Sequence, residues 1–207
     1  GTAPIGLHIE NGLGPIIPDL CWFYCQTAPE KSSNTTVCDG QIVFKNLNTS
    51  IKEKLINKPI TYSRSIPETV WKTYIIHEFP EIKSASEITQ AHLKQIQEQI
   101  PGLNITYNKD NSIKYSFTTD AIIDNKYFAN SILGPSFNYE TPEISFENGD
   151  LIDDDFVREV KRSTDKYIDD IEWQKGDIVL IDNKRVMHGR REINCNKREI
   201  FNALSFY

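Results

Sequence analysis

Short runs of β-branched and aromatic residues, each closed off by turn formers, recur along this 207-residue chain and leave little room for long helices. Residues 19–26 (DLCWFYCQ), 176–182 (GDIVLID) and 199–207 are the strongest of them. The first is apolar at nearly every position and reads as a strand buried on both faces. Further strand patterns lie at 60–64 and 127–132, and residues 104–107 and 113–117 alternate around Lys109-Asp110-Asn111 as a hairpin. Helical spacing is confined to three stretches. Residues 42–56 read as helix with a break near Asn46. Residues 84–100 carry Ser84 and Glu87 at capping-box spacing and stop at Pro101-Gly102. Residues 150–166 open on acidic side chains, which suit the positive end of a helix dipole. Residues 27–34 and 134–149 are turn formers without a period. This pattern predicts a mainly β fold with flanking helices, a double-stranded β-helix of jelly-roll or cupin-like type. The length suits a single domain, 1–207, with a helical and loop insertion around 65–150.

The formal net charge is −6 and no dense Lys/Arg face appears, which argues against a nucleic-acid partner. No apolar stretch approaches bilayer length, so no membrane partner is expected. Cys21, Cys25, Cys38 and Cys195 lack the paired spacing of a zinc site and read as free thiols in a reducing, cytoplasmic compartment. Nothing in the sequence sets the oligomeric state.

Two features carry chemistry. In His8-Ile9-Glu10, residues i and i+2 of an extended segment point to one face, so an imidazole and a carboxylate can reach one metal. His188 follows a strong strand pattern and the Asp182-Asn183 turn, and Gly189 after it permits a close backbone approach. Two histidines and a carboxylate make the facial set of non-haem Fe(II) oxygenases, whereas zinc prefers a fourth protein ligand at structural sites. His92 falls inside a helical pattern, and His77 after the apolar residues 73–76 reads as structural.

These residues sit in a longer match. The run from His8 through Asp39, with the order HIEN, PDLCWFYC and PEKSSNTTVCDG, resembles the TauD/TfdA-like dioxygenases of the clavaminate-synthase-like group. The run WQKGDIVLIDNKRVMHGRREINCNKREI resembles that family's Gly-Asp strand, Asp-Asn turn, distal His-Gly-Arg and the Arg about ten residues later. The likeness covers both ends, and residues 60–150 only loosely. Members commonly have Gly-Gly where Ser32-Ser33 stands here. Sulfonate-using members carry a second Arg at the place of Asn202, so a sulfonate substrate is not expected. Only seven residues precede His8, fewer than in most members, so either an N-terminal part is absent or the barrel is covered differently.

The resemblance implies an Fe(II)- and 2-oxoglutarate-dependent oxygenase that hydroxylates or desaturates an unactivated C–H with O2. Iron would be held by His8, Glu10 and His188. The distal carboxylate of 2-oxoglutarate would pair with Arg198, helped by Thr35, since a guanidinium fork suits a carboxylate. The substrate would be small and polar, an amino acid or a carrier-bound aminoacyl group, with Arg190, Asn11 and Asn130 as candidate contacts. Trp71 and Tyr74 are further candidates for the pocket wall. A Glu at position 10 argues against halogenation, because related halogenases leave that ligand position to chloride. Two rival classes are a jelly-roll protein using the same triad for metal-dependent hydrolysis, and an inactive homologue acting as a small-molecule binding protein. Hydrolysis gives no reason for the Arg198 and Thr35 pair, and the intact triad argues against an inactive homologue.

Overall fold

The computed structural model describes residues 2–29, 33–79, 81–134, 141–194 and 197–207. In chain order its strands are β1 (Ile5–His8), β2 (Leu20–Thr27), β3 (Thr35–Asp39), β4 (Ile60–Ile66), β5 (Leu103–Tyr107), β6 (Ile113–Thr119), β7 (Ile122–Ile123), β8 (Tyr127–Phe128), β9 (Glu143–Phe146), β10 (Ile168–Ile171), β11 (Ile178–Asp182), β12 (Val186–Arg190) and β13 (Glu199–Ser205). The α-helices are α1 (Gly40–Asn46), α2 (Thr49–Asn57), α3 (Glu68–Glu78), α4 (Gln90–Gln99) and α5 (Asp154–Thr164).

Two antiparallel sheets face each other: one ordered β1-β12-β3-β10, the other β11-β2-β13. Between them Cys21, Phe23, Cys25 and Ile181 pack with Trp173, Val37, Ile171, Val186 and Ile200. The opposite face of the first sheet buries Leu7, Cys38 and Met187 against Val43 of α1, Ile51 and Leu55 of α2, and Val160 of α5. Each such side chain contributes about 1.5–3 kcal/mol on leaving water. The result is the expected mainly β jelly-roll with flanking helices, its two sheets left unclosed. A third sheet, β5-β6-β4-β9, adjoins that helical core through Ile60, Tyr62 and Phe146. Its far end buries Ile66 and Ile113 with Trp71, Ile75 and Leu93 in a separate cluster, so Trp71 is core, while Tyr74 is exposed.

Several expectations need correction. The β2 strand is covered on one face only: Cys21, Phe23 and Cys25 point inward, while Trp22 and Tyr24 are each 39% exposed. The helix expected over 84–100 is two pieces. Ser84 and Glu87 do hydrogen-bond, but they hold a single 3-10 turn; Ile88 is extended, and α4 begins after Thr89, whose N–H donates to His92 Nδ1 at 3.0 Å. The strand expected over 127–132 stops at Phe128, because Asn130 and Ser131 turn their hydrogen bonds elsewhere. The third helix starts late, after Asp153, which caps Phe156 N–H at 2.7 Å. The α3 helix, with no polar alternation to mark it, escaped the sequence reading; His77 lies in it, and its side chain is outside the described residues. Ser32, Cys195 and residues 135–140 also lie outside them; Cys21, Cys25 and Cys38 are free and buried.

Gly189 shows why strands β1, β12 and β3 can sit together. A Cβ there would lie 2.6 Å from Ile5 O and 2.8 Å from Thr36 Oγ1. Gly189→Ala should therefore destabilise the protein by roughly 1–3 kcal/mol, read as a drop in melting temperature. An unchanged melting temperature would show that the first sheet is not as tightly drawn.

Candidate metal centre

The first sheet brings the candidate ligands together through its register. His8 of β1 lies directly opposite His188 of β12, and the two rings stand 4.4 Å apart between centroids. The ladder ends there, and Glu10 follows two residues on. One potential ligand atom from each of His8, Glu10 and His188 lies within 4.8 Å of the other two. His188 Nε2 is 3.4 Å from Glu10 Oε2, and the edge of Phe23 packs on the His188 ring from the second sheet.

The donor set fits a divalent cation. His8 Nδ1 sits 2.9 Å from Gly6 O, a group that only accepts, so Nδ1 carries the proton and Nε2 keeps its lone pair. Burial, and the neighbouring His188, lower the His8 pKa to about 4, so the ring is neutral at pH 7 as a metal ligand must be. The contact with His188 holds the Glu10 carboxyl below its ordinary range, with burial opposing. Burial, and the Glu10 charge, push the Cys21 thiol up to about 12, so no thiolate competes. His188 Nδ1 is buried with no hydrogen-bond partner among the described residues. Burying that nitrogen without a partner carries a desolvation cost.

A second polar group lies on the same sheet face. On β3, Val37 pairs with His188 and Thr35 with Arg190, so Thr35 points to the His188 side, two residues along. Arg198 reaches it from the start of β13: Nη2 donates to Thr35 Oγ1 at 3.0 Å and Nε to Ser33 O at 2.8 Å. Trp173 Nε1 donates to the same hydroxyl at 3.0 Å. Both lone pairs of the buried Thr35 oxygen are thereby used, which leaves its O–H to donate.

The model of the "Taurine catabolism dioxygenase TauD, TfdA family" matches residues 1–204. The chain belongs to the TauD/TfdA family. It is 22% identical to the clavaminate synthase-like protein of Arabidopsis thaliana over 94% of this chain and 63% of that protein. Among solved structures, it is similar in fold to asparagine oxygenase in complex with Fe(II), 3-hydroxyasparagine and succinate, at a TM-score of 0.55 and 15% identity over 100% of this chain and 51% of that one. PvcB of Pseudomonas aeruginosa gives a TM-score of 0.52 at 13% identity, with 100% and 58% covered. The chain thus spans half to two thirds of the length of these relatives.

The remaining candidates of this TauD/TfdA chain are placed less directly. Arg190 shares the inward face of β12 with His188 and donates to Ala3 O at 2.7 Å. Asn11 takes a left-handed backbone (φ 57°) and donates to Ile16 O, which fixes the turn after Glu10. Asn130 is buried with its amide bonded to Ala121 O and Ile132 N. Two residues were missed as contributors. Asn202 donates to Glu10 Oε2 at 3.4 Å, and Asn183 binds the Glu10 main chain. The i, i+2 spacing that pairs His8 with Glu10 would have found neither, since Asn183 and Asn202 lie 173 and 192 residues from Glu10 in the chain.

In the metal-free protein, the lowered His8 pKa has a thermodynamic consequence. Between pH 6.5 and about 4 the unfolded chain protonates His8 and the folded chain does not. Stability therefore falls as pH drops through that window, by at most about 1.4 kcal/mol per pH unit from this group. The Glu10 contribution is present above the ordinary carboxylate range and is lost as pH falls through its lowered pKa. Denaturant melts of chelator-treated protein should show the fall, and His8→Gln should flatten it between pH 6.5 and 4. Equal slopes in both proteins would contradict the burial of a neutral His8.

Proposed function

We propose that this chain is the core of an oxygenase that uses Fe(II), 2-oxoglutarate and O2 to hydroxylate or desaturate an unactivated C–H of a small polar substrate. An amino acid or a carrier-bound aminoacyl group suits the reading best. Support comes from the family, and above all from one observation: His8, Glu10 and His188 cluster within 4.8 Å while an Arg–Thr pair sits on the same sheet face.

His8 Nε2, the Glu10 carboxylate and His188 Nε2 would hold the iron from one side. Three protein ligands leave the other positions open, which distinguishes a reactive centre from a closed structural one. Bound there, iron and 2-oxoglutarate supply oxygen activation, with succinate and CO2 as co-products. The protein's own work is binding, orientation and exclusion of water. Arg198 offers its cation to the distal carboxylate of 2-oxoglutarate, and the Thr35 O–H, left as a donor by Trp173 and Arg198, points a neutral hydrogen bond at the same anion. Phe23 and Cys21 provide a dry wall beside the metal ligands. Glu10 fills a ligand position with negative charge and so disfavours halide transfer. Arg190 is the proposed anchor for a substrate carboxylate, and Asn11 and Asn130 shape the pocket through the loops they fix.

Two substitutions test this reading in the full chain under argon. His188→Ala should abolish tight Fe(II) binding, with far-UV circular dichroism largely retained. Adding 2-oxoglutarate to the iron-loaded parent should raise a weak visible charge-transfer band. Arg198→Ala should weaken that titration by about 2 kcal/mol, roughly thirtyfold, and Thr35→Ala by less, because a neutral hydroxyl makes the weaker bond. Retained iron affinity in His188→Ala would refute the metal assignment. Iron binding without any response to 2-oxoglutarate would favour a hydrolytic or non-catalytic homologue.

A further inference from the structure

Glu10 stands where the first sheet has run out. Strand β1 pairs with β12 only as far as His8, and the chain then turns sharply: Asn11 is left-handed and Gly12 N–H donates back to Ile9 O at 3.2 Å. A half-buried peptide group leaving a ladder still has a donor and an acceptor to satisfy. At Glu10 both go to one side chain. Asn183 Oδ1 accepts from Glu10 N–H at 2.8 Å, and Asn183 Nδ2 donates to Glu10 O at 3.2 Å. This is the pair of bonds that a residue of a neighbouring antiparallel strand would make. Asn183 is fully buried, and its Nδ2 also donates to Pro18 O at 2.9 Å, while its own N–H donates to Asp19 O. The carboxamide is therefore held at both ends of the 10–19 segment, and its acceptor and both donor hydrogens are spoken for.

The position of Asn183 in the chain gives these bonds a consequence. It lies in the turn between β11 and β12, five residues before His188. The same turn thus sets where β12 starts, and so where His188 sits, and where the Glu10 main chain sits. We infer that Asn183 is a positioning residue: its carboxamide acts as a one-residue strand that fixes Glu10 relative to His188, and so sets the ligand geometry and affinity of the metal centre. The inference rests on the metal-site reading above.

The chemistry of the amide is what the role requires. Aspartate at the same size keeps the acceptor for Glu10 N–H, but it loses both donors and sets a second carboxylate against the Glu10 and Pro18 carbonyls. Alanine removes all three bonds. Outer hydrogen-bond partners of metal ligands are typically worth 10- to 100-fold in affinity.

The test uses Co(II) as the probe, because its visible d–d spectrum reports ligand geometry at saturation independently of turnover. The full chain, Asn183→Asp and Asn183→Ala are each titrated with Co(II) under argon. Leu93→Ala, which opens a cavity in the remote cluster around Trp71, serves as a comparably destabilised control. The expected result is a 10- to 100-fold weaker Co(II) affinity and a shifted d–d spectrum at saturation for both Asn183 variants, with parental affinity and spectrum for Leu93→Ala. If Asn183→Ala does not fold, the isosteric Asn183→Asp decides alone. Asn183 variants that match the parent in affinity and spectrum would overturn this inference while leaving the metal site intact. Losses of the same size in Leu93→Ala would reduce Asn183 to a general stabiliser and overturn it too. A parent chain that takes up no Co(II) would overturn the metal-site reading, and this inference with it.

Discussion

The pairing of β1 with β12 is the constraint on which the rest depends. It sets His8 opposite His188 at the last rung of a ladder, on the face turned toward the second sheet. A slip of one residue would turn either imidazole to the opposite face, into the core under α1, α2 and α5. That slip is opposed on several sides. Leu7 and Met187 are already committed to the helical core, Gly189 admits the Ile5 carbonyl where no side chain would fit, and β3 holds β12 from the other edge. The hydrophobic pattern of the sheet thus determines the geometry of its polar end.

Polar groups at that end are costly, and the protein offsets the cost locally. Gly6 O accepts from His8 Nδ1–H, the Asn183 carboxamide pairs with both main-chain groups of Glu10, and Trp173 and Arg198 donate to Thr35 Oγ1. His188 Nδ1 is buried without a hydrogen-bond partner among the described residues. Bonds of this kind hold the ligand atoms in one arrangement, and such preorganisation lowers the cost of binding.

Much of this was legible in the chain. The strands rich in aliphatic and aromatic residues, β2, β11 and β13, declared themselves by composition, and the break between α1 and α2 by Asn46. His8, Glu10 and His188 were readable as a spaced pair and a glycine-flanked histidine, but their convergence was readable only through the family likeness. Strands β3 and β10 were missed because TTVCD and IDDI carry too few apolar residues to show a period; their pairing with β12 and with each other holds them in place. The Asn183 clamp was invisible for a different reason. It joins residues 173 positions apart, and no local pattern encodes such a contact. The two-sided apolar character of β2 also misled, since its Trp22 and Tyr24 face outward on a sheet that the described residues leave uncovered.

In the proposed centre one metal ion is held by His8, Glu10 and His188. Anomalous scattering at the iron edge, from crystals grown with Fe(II) under argon, tests it most directly. The expected result is a single strong peak within bonding distance of His8 Nε2, a Glu10 carboxylate oxygen and His188 Nε2, with its remaining positions open to solvent or 2-oxoglutarate. A peak elsewhere in the chain, or one closed off by a fourth protein ligand, would contradict it.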